Sequence, residues 1–218
     1  MKRLFTFIAV LFVCGQAIAQ EHMNSSSSSS NNASSNPDME FGAGSNVISL
    51  GIGFGGAYSY ALSGSSASPN FILSYDRGIV KAGPGTISIG GLVSYNSISY
   101  EYTSPYLGGY YYDQKWTNIL IGLRGAYHYN FTSNPHCDFY AGLIIGYDIL
   151  NYSFSSNDPY VNNPSSPFYY TYYNVSYPSY LSLSAFIGFR YMVTQNIGFY
   201  AEAGYGYTIL SVGASLKF

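Results

Sequence analysis

Several stretches of this chain carry residue types that chemistry asks for, and their spacing says what that chemistry would be. Gly51, Gly53 and Gly56 stand in a Gly-x-Gly-x-x-Gly run, the spacing that lets a backbone approach a dinucleotide pyrophosphate at the start of a helix. No helical pattern follows the run, so its glycines read instead as relief of crowding inside a β-structure. His136 adjoins Cys137; a zinc site needs further ligands, which the neighbourhood lacks, so a solvated turn is the better reading. His128 and the many serines could serve a membrane-embedded lipid hydrolase or acyltransferase. Yet the chain has no Gly-x-Ser-x-Gly elbow, and alternation puts His128 at the wrong end and on the wrong face for that work. The expectation is no catalytic residue, no metal site and no cofactor.

Charge is scarce. Charged residues make up 8% of the chain, against about 25% in ordinary soluble domains, while 19% of residues are aromatic, with 26 Tyr and 24 Gly. A soluble all-β domain of this length needs far more charge on its exterior. The net charge of −2 comes without the clustered basic surface that nucleic acid requires. Beyond the N-terminal segment Cys137 is the only cysteine, so stability has to come without an internal disulfide.

The elements that position these residues alternate with period two. Ile48, Leu50, Ile52 and Phe54 face one way and Ser49, Gly51 and Gly53 the other, as on a strand with one apolar side. The same alternation recurs around Phe71 to Asp76, Ile87 to Asn96, Ile119 to Tyr129, Phe139 to Ile149, Leu181 to Tyr191 and Phe199 to Tyr205, and again at the C-terminus. Breaks are expected at residues 58–69, 77–85, 101–115, 151–179 and 194–196, and around Asn134-Pro135 and Tyr207. They alternate between long and short, except the break at Tyr207. That predicts an eight-stranded antiparallel up-and-down transmembrane β-barrel, with short turns on the periplasmic side, longer loops outside and both termini periplasmic.

An eight-stranded barrel can carry its apolar face inside, around a ligand, or outside, against lipid. The non-apolar faces carry Asp76, Arg124, Asp148, Arg190, Glu202 and Lys217 singly among Gly and Ser. Too sparse for a water-exposed surface, this set suits a narrow lumen with a charge network. There Arg190 and Glu202 would pair diagonally, and Arg124 would reach a carboxylate across the lumen. With Leu92, Arg124, Tyr140, Phe186 and Tyr200 inside, a narrow porin-like channel is the weaker alternative. Tyr95, Tyr127, Tyr129, Tyr147, Tyr191 and Tyr205 lie towards strand ends on the apolar face, where they read as an interfacial girdle. Tyr110, Tyr111 and Tyr112 in one break, and Tyr169, Tyr170, Tyr172 and Tyr173 in another, supply contact area at low entropy cost and are candidates for external recognition. The competing reading is that these rings stiffen the loops by packing on one another.

The two ends add to this. Lys2 and Arg3 precede an apolar run at residues 4–13 and then Ala17-Ile18-Ala19, a secretory signal with cleavage expected after residue 19; the run is shorter than the roughly 20 residues of a membrane helix. Cys14 does not make this a lipoprotein signal, because Phe12 and Val13 before it are bulky. Residues 20–44, rich in Ser and Asn, read as a disordered leader, and 45–218 as the barrel. In the last strand Ser211, Gly213, Leu216 and the terminal Phe218 have the spacing of a barrel-assembly signal. With this ending, the eight strands and segments such as Asp138-Phe139-Tyr140-Ala141-Gly142-Leu143 and Ala201-Glu202-Ala203-Gly204-Tyr205-Gly206, the chain resembles the small outer-membrane β-barrels that include the opacity-type proteins and the OmpA/OmpX barrels. The resemblance implies outer-membrane lipid and the barrel-assembly machinery as partners. It also implies a structural or surface-interaction role, with an external ligand open and no oligomeric state specified.

Overall fold

The computed structural model describes residues 40–56, 65–104, 109–132, 134–169 and 177–218. The expected signal peptide and most of the leader lie outside the described residues. The described strands are β1 (Asn46–Phe54), β2 (Ser65–Ala67), β3 (Asn70–Ala82), β4 (Gly85–Ser104), β5 (Tyr110–His128), β6 (Cys137–Ser156), β7 (Tyr180–Met192), β8 (Ile197–Tyr205) and β9 (Leu210–Lys217). Each long strand pairs antiparallel with its neighbour in sequence, β1 pairs with β9, and the β4–β5 pairing completes the ring. The result is the closed eight-stranded up-and-down barrel read from the sequence, with β2 as a short addition on the edge of β4. Closure leaves the barrel without a sheet edge.

Which side of each strand faces out follows from the alternation. Leu123, 73% exposed, and Leu181, 74% exposed, stand on the outside with Ile89, Ile145, Leu183 and Ile187. Ser88, Ser211, Arg124 and Arg190 are buried inside. Such an exterior belongs in hydrocarbon, since no water-soluble surface presents a continuous apolar band of this kind. On β4 the band runs from Ile87 to Tyr95; eight steps of about 3.4 Å make ~27 Å along the strand and ~20 Å along an axis tilted by about 40°. Aromatic residues border it at both ends. Tyr127, Tyr191, Phe199 and Phe218 lie near the rim that carries the tight turns, and Phe54, Phe71, Tyr95, Tyr147 and Tyr205 lie towards the loop side. On the turn side Phe131 packs tilted against Phe139 at 4.1 Å between centroids, and Phe139 against Phe189 at 4.7 Å.

Several breaks come out shorter than expected. β3 continues through Arg77 to Ala82 with a bulge between Gly78 and Val80, and turns only at Gly83, whose φ of 60° favours glycine. The Tyr-rich stretch 101–115 is mostly strand: β4 reaches Ser104, β5 begins at Tyr110, and β6 runs to Ser156. Tyr102, Thr103 and Tyr110 to Tyr112 are good strand residues, and Pro105, Gly108 and Gly109 all fall between the two strands in sequence. Residues 40–44, expected to continue the leader, lie in the turn-side mouth of the barrel, where Phe41 is buried.

Candidate functional site

The lumen gathers charge in one place. Arg124 meets Asp76 through Nε at 2.9 Å and Glu202 through Nη2 at 2.9 Å, while Arg190 meets Asp138 through Nη1 at 2.8 Å and Asp76 at 3.6 Å. Tyr140 donates its hydroxyl to Glu202 Oε1 at 2.9 Å. The Arg124 guanidinium also sits 4.4 Å from the centre of the Phe186 ring, and that of Arg190 5.1 Å from the Tyr140 ring. Towards the loops an apolar layer of Ile72, Leu92, Leu120, Ile144, Phe186 and Tyr207 closes over the cluster. Inward side chains fill the cylinder, as expected for eight strands.

The expected network differs from this cluster in membership and pairing. Arg190 does not pair with Glu202. Asp138 lies directly opposite Arg190 in the β6–β7 register, a shorter reach than the diagonal to β8, and Glu202 turns across the lumen to Arg124 and Tyr140 instead. Asp148 is buried on the loop side of the apolar layer, opposite Leu120 and Tyr180, away from the arginines. Lys217, expected inside, stands at the turn-side rim and donates through Nζ to the Glu40 carbonyl at 2.7 Å; the last residues of β9 have run out of lumen to face. Asp138 was not among the expected members, although it shares the parity of Tyr140 and alternation alone puts it inside.

Among the described residues, His128 holds the one arrangement with catalytic connectivity. Its Nδ1 lies 2.9 Å from Asp138 Oδ1, and its Nε2 lies 3.0 Å from Ser88 Oγ. A Ser–His–Asp triad needs in addition an open nucleophile and donors aimed at an oxyanion. Ser88 is fully buried, and the backbone N–H groups around it belong to the ladders of a closed barrel. The relay therefore reads as polar satisfaction within the cluster. Among the described residues no three His, Cys, Asp or Glu side chains could hold a metal ion, and His136 spends its Nδ1 on the Met192 carbonyl at 2.6 Å. Gly51 of the Gly-rich run faces Tyr200, whose hydroxyl occupies the space a Cβ would need.

Beyond the apolar band, β4, β5 and β6 project past the other strands, and their polarity inverts. In register, Ser97, Thr117 and Asn151 form one outward row, Ser99, Lys115 and Ser153 the next, and Glu101, Asp113 and Ser155 a third. The face continuous with the lumen carries Ile98, Trp116 and Tyr152, then Tyr100, Gln114 and Phe154, then Tyr102, Tyr112 and Ser156. Trp116 packs on Tyr152 at 5.5 Å, Tyr152 on Tyr177 at 5.6 Å and Tyr102 on Tyr112 at 6.3 Å between centroids. Tyr110, Tyr111 and Tyr112 are thus strand residues, and alternation sends Tyr111 to the side opposite the other two, so they do not form one surface. Tyr112 donates to Asp158 Oδ2 at 2.6 Å. Tyr169 is half-buried; Tyr170, Tyr172 and Tyr173 lie outside the described residues.

The C-terminal residues complete the β1–β9 seam. Ser211 and Gly213 face inward, Leu216 and Phe218 outward, and Phe218 exchanges backbone hydrogen bonds with Asn46 at 2.9 and 3.2 Å.

No protein-family model matches the chain, and no curated protein does. Among solved structures it is similar to the attachment invasion locus protein Ail of Yersinia pestis, at 15% identity over 81% of this chain and 99% of the other, with a TM-score of 0.40. The N-terminal β-barrel domain of Pseudomonas aeruginosa OprF gives 13% identity over 82% and 100%, with a TM-score of 0.42. Pseudomonas aeruginosa OprG gives 12% over 83% and 98%, with a TM-score of 0.40. Likeness at this level carries no argument about activity. The architecture stands on the chain's own strand order, closure and apolar exterior, which are those of a small transmembrane β-barrel of the outer-membrane type.

Proposed function

We propose that the protein is a non-enzymatic outer-membrane β-barrel, with the turn side and both termini in the periplasm, and that it acts through the projecting β4–β5–β6 sheet and its loops as an external interaction surface. The inversion of polarity between Tyr95 and Ser97 carries this reading. A strand that leaves hydrocarbon for water must exchange its outward Ile and Tyr for Ser, Thr, Lys and Glu, and all three long strands do so in the same rows. Outer-membrane lipid meets the band, and the barrel-assembly machinery reads the seam of Ser211, Gly213, Leu216 and Phe218. The buried Ser88 supports a non-enzymatic role, and the filled lumen argues against solute passage, which discrete large conductance steps in a planar bilayer would contradict.

The test replaces residues 158–178 with a Gly-Ser linker in cells displaying the protein and measures adhesion to host cells or extracellular matrix. A drop of at least fivefold with unchanged surface expression is expected. Equal adhesion of the two forms, or none by either, contradicts an external role.

A further inference from the structure

The mouth on the turn side is occupied by the chain itself. Phe41 is buried there, its ring stacked on the His128 imidazole at 3.8 Å and 20° and lying 5.9 Å from the Arg190 guanidinium carbon. The segment around it is anchored at several points. Gly44 N–H donates to the Gly78 carbonyl at 2.8 Å, Gly78 N–H donates to the Ser45 carbonyl at 2.9 Å, and Lys217 Nζ donates to the Glu40 carbonyl. A tight turn joins Ser45 N–H to the Gly42 carbonyl at 3.1 Å and Gly42 N–H to Ser45 Oγ at 3.1 Å. Gly78 is itself shaped to the segment, because a Cβ there would run into the Gly42 carbonyl. Gly78 thus extends the β1–β3 pairing past Asn46 and Arg77 to residues 44 and 45, while on the other edge of β3 it stays opposite Ser88 of β4, just before the bulge.

We propose that residues 40–44 are a built-in plug, seated in the turn-side mouth, that bars water-borne molecules from Ser88, at the inner end of the Ser88–His128–Asp138 relay, and from the arginines of the charged cluster. From the other side the apolar layer of Ile72, Leu92, Leu120, Ile144 and Phe186 already blocks access, so the mouth is the remaining route and Phe41 stands in it. A cavity of about 210 Å³ lies beside the plug, lined by Phe41, Ala43, Lys81, Thr86, His128 and Asp138 among others, and it borders the outer side of the relay without reaching Ser88, which is fully buried. It gives the ring somewhere to move when the segment unseats.

The experiment places a reporter thiol behind the plug. In full-length protein with Cys14→Ser and Cys137→Ser, assembled in lipid vesicles, Ser88→Cys is exposed to a small cationic methanethiosulfonate and its labelling rate is followed by mass. Lys81→Cys in the same background sets the rate of an open rim position. The seated plug predicts that Cys at position 88 reacts at least a hundredfold more slowly than Cys at position 81. Adding Phe41→Ala should speed its labelling at least tenfold, whereas Phe41→Trp should leave it slow. Gly78→Ala unseats the segment from outside the lumen and should also speed labelling, which gives a second reading if Phe41→Ala does not assemble. A parent that labels as fast as the rim, or variants that assemble and leave the rate unchanged, overturns the plug.

Discussion

Arg124 is the side chain on which most of the lumen cluster depends, since it is fully buried and binds Asp76 and Glu202 at once. Arg124→Met leaves those carboxylates together in a dry interior, and removing one partner of a buried ion pair costs about 3–5 kcal/mol. Urea unfolding in lipid vesicles should show a loss of that size. Adding Glu202→Gln should recover roughly 1–3 kcal/mol, because the uncompensated charge goes while Tyr140 keeps an acceptor. A double variant no more stable than the single would mean that Glu202 draws its stabilisation elsewhere. The membership of this cluster was partly legible in the sequence. Period two puts Asp76, Arg124, Arg190 and Glu202 inside, and would have added Asp138 had the parity of Tyr140 been extended by one step. The pairing was not legible, since it depends on which strands face each other across a closed ring and on the direct opposition of Asp138 and Arg190.

Strand β6 carries the change of medium within one element. Ile145 and Ser153 lie on its same outward side, Ile145 against hydrocarbon and Ser153 in the row with Ser99 and Lys115. Ile145→Lys should cost about 2–4 kcal/mol, as cations do near the bilayer midplane, whereas Ser153→Lys should stay within about 0.5 kcal/mol, as at a solvated site. Folding efficiency in vesicles and unfolding midpoints would measure both; equal costs would put the boundary of the membrane elsewhere. Strand existence and facing could be read from alternation wherever apolar and small residues took turns. Strand length could not, because the apolar parity switches sides between Tyr95 and Ser97 on β4 and between Ile119 and Thr117 on β5, where the strands leave the membrane, and a switch in phase reads as the end of a strand. β3 misled for another reason: Gly78 resembles a turn former but serves the bulge and the seat of residues 40–44.

For the whole molecule, closure and the inside-out distribution of apolar side chains are a single fact. Eight strands leave room for side chains alone, so the polar minority fills the cylinder and the apolar majority faces lipid. The sequence disclosed this through its 8% charge and the placement of what charge there is. It gave no hint that the chain would return Phe41 to its own mouth, a contact between residues 87 positions apart that no local pattern records. The central claim is that Leu123 and Ile145 face hydrocarbon while Lys115 and Ser153 face water. Nitroxide labels at these four positions in lipid vesicles, relaxed by oxygen and by a water-soluble nickel chelate, test it directly. The account predicts that oxygen dominates at 123 and 145 and the chelate at 115 and 153; a chelate that reaches 123 and 145 as readily as 115 would contradict it.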